Sequence, residues 1–318
     1  MKMFKYICKR LIWLIGVFFV ILTICFVLVK LLPITEAAQF GKDMNLILQR
    51  RERLGYNKPI LVQYFIFLQR SVFGMDWGIS EALYRGQEVW DVFVSKLPFS
   101  MIINVYSSLF SVPIGMFLGI YAALKKNKWQ DHLISTSVMI FISVPSFVYA
   151  LLVQYFLCFK LQLFPLQMEA GTNLFTWSMF RSLVPAVLSM SFGSIASYSR
   201  GVRAELSEVL TSDFMLLART KGLTRAQATL RHAMRNSMVP IFPMILGEFV
   251  LVLSGSLIIE KIFGIPGVGA LYVSSITARD YNVFMLETAF YTLIGLTANI
   301  VVDISYGIID PRIRMGER

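Results

Sequence analysis

The chain has 318 residues, of which 56% are hydrophobic and only 15% are charged, against roughly 25% charged in a typical soluble domain. A mean hydropathy of +0.65 exceeds what one soluble core could hide, and it excludes intrinsic disorder and disulfide-rich secreted scaffolds. The net charge of +11 fits either a nucleic-acid partner or a membrane protein with basic internal loops, and the positions of the charges decide between the two.

Six apolar runs are each long enough to cross a bilayer core of about 30 Å. They cover residues 11–32, 99–124, 133–159, 183–199, 238–259 and 284–309. The first run is longer than the roughly 7–15 apolar residues of a signal peptide, which predicts a span that is retained. Pro98 is expected to open the second run, and Pro113 and Pro145 are expected to kink the second and third.

The basic residues orient these spans. With an internal N-terminus, the segments 1–10, 125–132, 200–237 and 310–318 hold 17 of the 30 Lys and Arg residues, whereas the two short external loops hold four. Both termini are therefore expected in the cytoplasm, and the net charge is explained without nucleic acid as a partner. The predicted organisation is a first span within 1–32, an external segment 33–98, a five-span core 99–309 with a cytoplasmic loop 200–237, and a cytoplasmic tail 310–318.

Within the external segment, apolar residues recur at helical spacing. They are Leu61, Tyr64, Phe65, Leu68 and Val72. The aromatic members fit a helix lying at the membrane interface. A small external cap packed on the spans fits the same pattern, and the sequence leaves both interpretations open.

The loop between the fourth and fifth runs is too polar to span and too regularly patterned for a slack linker. Its apolar stripe at i, i+3 and i+4 comprises Leu206, Val209 and Leu210. A helix is then expected over 213–221, with Gly222 as its C-terminal stop. Thr224 and Gln227 form a capping-box pattern that opens a second helix, expected to run to about Ser237. Two short helices at this position fit either a knob that a soluble partner grips or a connector that binds nothing.

The most informative run extends from Leu217 to Leu223 (LARTKGL), followed by RHAMRN at 231–236 and closed by Pro240. It resembles the coupling loop of binding-protein-dependent ABC importer permeases, and more narrowly that of the oligopeptide/dipeptide permease subfamily. The acidic-alanine-alanine triplet of the wider superfamily is degenerate here as LLA, but Gly222 stands at the defining spacing, and Asp213-Phe214 resembles the Asp-Tyr pair that commonly precedes the loop. Further matches lie along the whole chain at Leu54-Gly55, Lys58-Pro59, Gln63-Tyr64, 74–80, 119–124, 143–147, 263–269, 279–281, Asn299, Asp303, Tyr306 and 310–312.

The resemblance implies an all-α membrane protein with six transmembrane helices, which forms half of the translocation path of an ABC importer in a bacterial inner or plasma membrane. The partners implied are a second homologous permease subunit, one or two cytoplasmic P-loop ATPases and an external substrate-binding protein. Short peptides are the expected cargo. The alternatives are a nickel or metal-chelate importer of the same family and, in a different class, a stand-alone channel or membrane receptor.

Three groups of residues are candidates for these roles. The ATPase-coupling group is Asp213, Leu217, Ala218, Arg219, Lys221, Gly222 and Leu223. The candidate path residues are Pro145, Ser146 and Glu248, and the candidate contacts of the binding protein are Pro266, Gly267, Gly269, Arg279 and Asp280. A short external helix is expected from about Gly269 to Thr277.

Two acids lie within predicted spans, where a carboxylate is costly and usually faces a cavity or a partner. Glu248 is expected either to meet the amino group of a peptide or to accept a hydrogen bond from a neighbouring Ser or Tyr. Asp303, near the cytoplasmic end, is expected to pair with a basic residue there.

The sequence carries no enzymatic or metal-binding motif: GxxxxGK[ST], HExxH, GxSxG and CxxC are all absent. ATP and Mg²⁺ are therefore expected on partner ATPase subunits, with no cofactor bound by this chain. The three cysteines do not suggest a disulfide or metal framework, and His132 and His232 are too far apart in sequence to suggest a metal site.

Overall fold

The structure is a computed structural model that describes residues 2–31, 49, 52, 57–169, 171 and 174–309. These residues fold mainly into helices, and an isolated antiparallel bridge joins Ile79 to Glu88. Four of the helices are long and apolar enough to cross a membrane, and a bent pair of helices is a fifth candidate. The predicted all-helical membrane class is confirmed. The tail 310–318 and most of 32–56 lie outside the described residues.

The first two helices join the external segment to the first span. α1 covers Lys2–Leu31, and α2 covers Ile60–Phe73, which confirms the helix predicted there. Tyr64 and Val72 of α2 pack into a cluster with α1 and the last helix of the chain. Leu61 and Phe65 of the same helix are 70% and 67% exposed, so α2 has one packed side and one exposed apolar side.

The third helix corrects the start of the second predicted span. α3 covers Val89–Leu124, so it begins nine residues before Pro98 and contains both Pro98 and Pro113. Its first turns bury Val92 and Phe93 in the same cluster that Tyr64 and Val72 of α2 pack against. Packing against the rest of the protein stabilises the helix before Pro98. The apolar run 99–124 covers only the more hydrophobic part of α3.

The third predicted span is broken. α4 covers Trp129–Ser143 and α5 covers Ser146–Lys160, and the two are bent by 101°. The break falls at Pro145, and Val144 is extended, which is the conformation that a following proline favours. The kink predicted at Pro145 is confirmed, in the stronger form of a broken span or a re-entrant segment.

The fourth predicted span is part of a longer helix. α6 covers Trp177–Val209, so it includes ten residues that had been assigned to the cytoplasmic loop. Polarity rises from Arg200 onward, but the helix continues because Val202 and Leu206 remain fully buried. The boundary predicted at residue 200 is therefore not the end of a helix.

The two short helices predicted in the loop are confirmed. α7 covers Asp213–Thr220. α8 is continuous through three segments, Arg225–Ala228, Thr229–Ala233 with π-helical pairing, and Met234–Ser237. The capping box is also confirmed, because Thr224 Oγ1 accepts from the amide of Gln227 at 3.3 Å and Gln227 Oε1 accepts from the amide of Thr224 at 3.0 Å.

The fifth predicted span, 238–259, is not one helix, and that prediction was wrong. α9 covers only Ile241–Leu251, about 16 Å at 1.5 Å per residue. The chain then turns through Gly255, whose φ is 63°. Asn104 of α3 donates to the carbonyl of Val252 at 2.9 Å, so this backbone acceptor has a partner just after the end of α9.

The chain closes with α10 (Ile259–Ile262), α11 (Val268–Ala278) and α12 (Tyr281–Ile309). α11 confirms the short helix expected before the last span, and the sixth predicted span lies within α12. An external cluster joins α1, α3, α11 and α12, and a second cluster joins the ends of α3 and α6 to α7 and α8.

Candidate functional site

Residues 213–237, which comprise α7, the turn at Gly222 and α8, form a two-helix module on a fixed base. Met215 and Ala218 of α7 are buried together with Ala228 and Ala233 of α8. They pack on the last turns of α3 and α6, where Leu206 is fully buried. The small alanine side chains let the short helices lie close to the long ones. The module therefore has a defined orientation relative to the spans.

Gly222 ends α7 with a left-handed turn. Its φ is 90°, its amide donates to the carbonyl of Arg219 at 3.0 Å, and the next amide, that of Leu223, donates to Ala218 at 3.3 Å. This pair of bonds is the Schellman arrangement, which favours glycine at the left-handed position. Leu223 also packs against the buried cluster that contains Ala218. The predicted stop at Gly222 is thus a closed and packed turn.

The outer side of the module exposes large apolar side chains. Leu216, Leu217 and Leu230 are 64%, 55% and 72% exposed, and Phe214 is also exposed. Polar or charged neighbours at Asp213, Arg219, Lys221, Arg225 and Arg231 are exposed as well. Exposed apolar side chains on a segment that is otherwise polar make this module a candidate interaction surface.

The structure divides the predicted coupling group into two kinds of residue. Five members are exposed and free to meet a partner: Asp213, Leu217, Arg219, Lys221 and Gly222. Ala218 is buried and Leu223 is half-buried, so both hold the module on its base. Leu230 was not singled out in the sequence, because its neighbours Arg231 and His232 hide it from an apolar-run search.

A polar cluster lies around Glu248 of α9. Its carboxylate accepts long hydrogen bonds from Ser108 of α3 at 3.5 Å, and from Ser194 and Tyr198 of α6 at 3.4 Å each. The second expectation for Glu248, a bond to a neighbouring Ser or Tyr, is therefore confirmed. The side chain remains only half-buried, so a solute could still reach it. The other candidate path residues, Pro145 and Ser146, are exposed at the break between α4 and α5.

Glu260 forms a buried hub between α9 and α11, and no motif in the sequence points to it. It is 0% exposed, and its carboxylate accepts from Ser100 Oγ at 2.7 Å and from the amides of Ser256 and Ala270 at 3.1 and 2.9 Å. Ser100 Oγ in turn accepts from the amide of Val268 at 2.8 Å. Burial raises the pKa of the Glu260 carboxyl, and these donors act in the opposite direction.

Two of the predicted binding-protein contacts are packed beside this hub. Gly267 and Gly269 are buried, and a Cβ at Gly269 would lie 2.8 Å from the backbone of Ser256. These glycines allow the loop to approach the hub. Pro266 is half-buried next to them.

Asp280 forms a second buried hub. It is 0% exposed, and it accepts from Ser80 Oγ at 2.5 Å and from the amides of Ala82 and Leu83 at 3.0 Å each. It ties the segment before α3 to the turn between α11 and α12. Its neighbour Arg279 is exposed, with a φ of 58°. Of the two, only Arg279 presents its side chain to solvent.

We expect Asp280→Ala to lower the free energy of unfolding by about 2–4 kcal/mol, because the buried hydroxyl of Ser80 and the part-buried amides of Ala82 and Leu83 lose their acceptor. The measurement is thermal unfolding of the purified chain in detergent, with Arg279→Ala as the matched exposed neighbour. Equal stability of the two variants would contradict the assignment of Asp280 as a hub.

Asp303 pairs with a basic residue, as expected. Arg10 Nη1 of α1 lies 3.1 Å from its carboxylate, and both side chains are partly exposed. The pair joins the first and last long helices at the end that holds both termini.

No group of three or more His, Cys, Asp and Glu side chains within the described residues could hold a metal ion. The three cysteines are free.

Comparison with known proteins gives a consistent result. A family model described as "Binding-protein-dependent transport system inner membrane component" matches residues 115–315, and a model of the N-terminal part of such membrane components matches residues 3–104. Together the two models cover nearly the whole chain.

Three relatives match across their full length. The dipeptide transport system permease protein DppB of Lactococcus lactis subsp. cremoris is 35% identical over 98% of this chain and 100% of its own. The protein of the same name from Bacillus subtilis is 33% identical over 99% of this chain and 100% of its own. The oligopeptide transport system permease protein OppB of Haemophilus influenzae is 31% identical over 98% and 100%.

Proposed function

This chain belongs to the family of binding-protein-dependent transport system inner membrane components, and we propose that it is the permease subunit of an ABC importer that carries short peptides. The observation that carries the proposal is the two-helix module, which is fixed to the ends of two long helices and exposes Leu216, Leu217 and Leu230. The cargo rests on full-length relatives that bear the names of dipeptide and oligopeptide permeases.

The proposed topology has six crossings, with both termini in the cytoplasm. α1, α3, α6 and α12 supply four regular spans. The broken pair α4–α5 and the short α9, extended by the turn at Gly255, supply the other two. The excess of Lys and Arg in the segments between these crossings supports the orientation. It also puts the two-helix module on the cytoplasmic side.

In this proposal, the module docks on a cytoplasmic P-loop ATPase. The exposed apolar residues enter a groove on the partner, while Asp213, Arg219 and Lys221 lie at the rim, where charged contacts fix register more than affinity. ATP and Mg²⁺ are bound by the partner, since this chain has no phosphate-binding loop. Conformational changes of the ATPase are then transmitted to the spans through the ends of α3 and α6, on which the module packs.

The proposed path runs along the broken helices and is completed by a second, homologous permease subunit. Glu248 contributes a carboxylate among hydroxyl groups, and Pro145 and Ser146 lie at the other break. Irregular backbone within a membrane occurs where it lines a cavity or is buried in protein. At the outer face, Pro266 and Arg279 are proposed contacts of the substrate-binding protein, on a loop that Gly267, Gly269 and Asp280 shape from within.

Affinity purification of the tagged chain from its own membrane in mild detergent, followed by mass spectrometry, tests the assembly. We expect a second permease of the same family and one or two P-loop ATPases. Recovery of a homo-oligomer without ATPase, under conditions that keep a known importer intact, would favour a stand-alone channel or receptor. Competition of uptake by unlabelled peptides and by metal chelates then tests the cargo.

We expect Leu217→Asp to reduce the amount of co-purified ATPase about tenfold or more, because a carboxylate replaces an apolar anchor at the centre of the interface. Thr211→Asp is the matched control, since it adds the same charge at an exposed position just before the module. Quantitative mass spectrometry of the purified complexes gives the readout. Equal loss in both variants would contradict a specific role for Leu217.

A further inference from the structure

An ion pair in which only the acid is fully buried joins α4 to α6 close to the two-helix module. Asp131 lies in the first turn of α4 and is 1% exposed. Arg203 of α6 donates to it through Nε at 2.5 Å and through Nη2 at 2.8 Å. The two parallel bonds form a bidentate pair, which fixes distance and angle together.

The remaining capacity of the carboxylate is also used. The amide of Asn127 donates to Asp131 at 2.9 Å, and Ser135 Oγ donates at 3.3 Å. Asn127 lies in the turn between α3 and α4, with a φ of 63°. The carboxylate thus connects the end of α3, the start of α4 and the side of α6 at a single point.

α4 buries few other side chains against the rest of the protein. Along Trp129–Ser143, which the structure describes in full, the buried side chains are Asp131 and Val138. At its far end, the ring of Phe141 stacks on Phe192 of α6 at 5.1 Å, and Tyr149 beyond the break meets Phe192 at 5.7 Å. α4 is therefore held on α6 by a polar contact at one end and an aromatic contact beside the break.

The two ends of this arrangement lead to different parts of the molecule. Arg203 lies six residues before the end of α6, whose last turns carry the base of the two-helix module. α4 leads in the other direction to the 101° break at Pro145. A displacement of the module that moves the end of α6 would pull on α4 through Asp131.

We propose that Asp131 and Arg203 are positioning residues, which transmit movement of the two-helix module to the broken pair α4–α5. This proposal rests on the proposed importer function, because it assigns the pair a part in coupling ATP hydrolysis to the opening of the path. A salt bridge with one fully buried partner suits this role, since it resists separation and leaves an unpaired buried charge when it breaks.

The test uses the complete importer, with its second permease, ATPases and binding protein, in proteoliposomes supplied with a radiolabelled tripeptide. The readout is the number of ATP molecules hydrolysed per peptide transported. Asp131→Asn keeps the shape of the side chain but removes its charge. We expect the ratio to rise about tenfold, which is within the usual range of coupling between sites, while hydrolysis itself continues.

The chain offers a matched control in Asp303→Asn, which removes the partly exposed ion pair with Arg10 and should leave the ratio unchanged. Arg203→Lys keeps the charge but loses the bidentate geometry, so we expect an intermediate ratio, and this variant serves if Asp131→Asn fails to assemble.

Two results would overturn the proposal. One is a wild-type ratio in assembled Asp131→Asn and Arg203→Lys importers. The other is a parallel fall of hydrolysis and transport at constant ratio, which a purely structural pair would give. If the wild-type importer transports no peptide at all, the proposed cargo fails instead, and the two failures are distinguishable.

Discussion

Replacement of Gly222 by valine is expected to abolish ATP-driven uptake while the chain still inserts into the membrane. At a φ of 90°, a β-branched residue is a genuine outlier, and the strain amounts to about 1–3 kcal/mol. There is open space around Gly222, so the cost comes from the backbone and not from a clash. Relief of the strain would disrupt the Schellman turn and rotate Leu216 and Leu217 away from the proposed ATPase partner.

Two further variants distinguish the effect of backbone strain from the effect of the place in the chain where the strain occurs. Gly86 has a φ of 82° and equally open surroundings, but it lies in the external segment, so Gly86→Val should carry similar strain and keep most of the uptake. Gly222→Asn should retain part of the uptake, because asparagine tolerates the left-handed region better than valine. Wild-type uptake by correctly inserted Gly222→Val would contradict the coupling role of the turn.

The turn at Gly222 was predictable because its causes are local. A glycine after a short amphipathic stretch, followed by Thr224 and Gln227 at capping-box spacing, specifies a stop and a start within a few residues. The same holds for Pro145, since a proline constrains its own φ and the residue before it. These features depend little on what packs around them.

The limits of α3, α6 and α9 were not predictable from apolar runs. Hydropathy reports the solvent of a segment, whereas a helix continues wherever its backbone bonds and its buried face continue. Leu206 keeps α6 helical beyond the apolar run, and Phe93 starts α3 before Pro98. Conversely, the fifth run is mostly apolar, but Ser254-Gly255-Ser256 interrupts it. That tripeptide was the available signal for the break.

The ion pair of Asp131 and Arg203 left no pattern in the sequence, because its members are 72 residues apart. The hubs at Glu260 and Asp280 are similar, since their partners lie 160 and 200 residues away in Ser100 and Ser80. All three buried carboxylates join elements that are distant in sequence. Each of them therefore fixes the position of one element relative to another.

We expect Glu260→Ala to cause the largest loss of stability among these variants, about 3–5 kcal/mol, because it leaves the buried hydroxyl of Ser100 and the part-buried amides of Ser256 and Ala270 without an acceptor and opens a cavity. Glu287 of α12 is also fully buried.

Glu260→Gln separates these contributions, since it removes the charge but keeps one acceptor oxygen and the volume of the side chain. It should therefore lose less stability than Glu260→Ala. Glu248→Ala is the matched control, because Glu248 is half-buried and its hydrogen bonds are 3.4–3.5 Å long. Thermal unfolding in detergent measures all three, with a shift of about 5–7 °C expected for Glu260→Ala. If Glu260→Ala unfolds at the temperature of Glu248→Ala, the external loop is held by its apolar contacts, and the hub contributes little to the packing of that loop on α3.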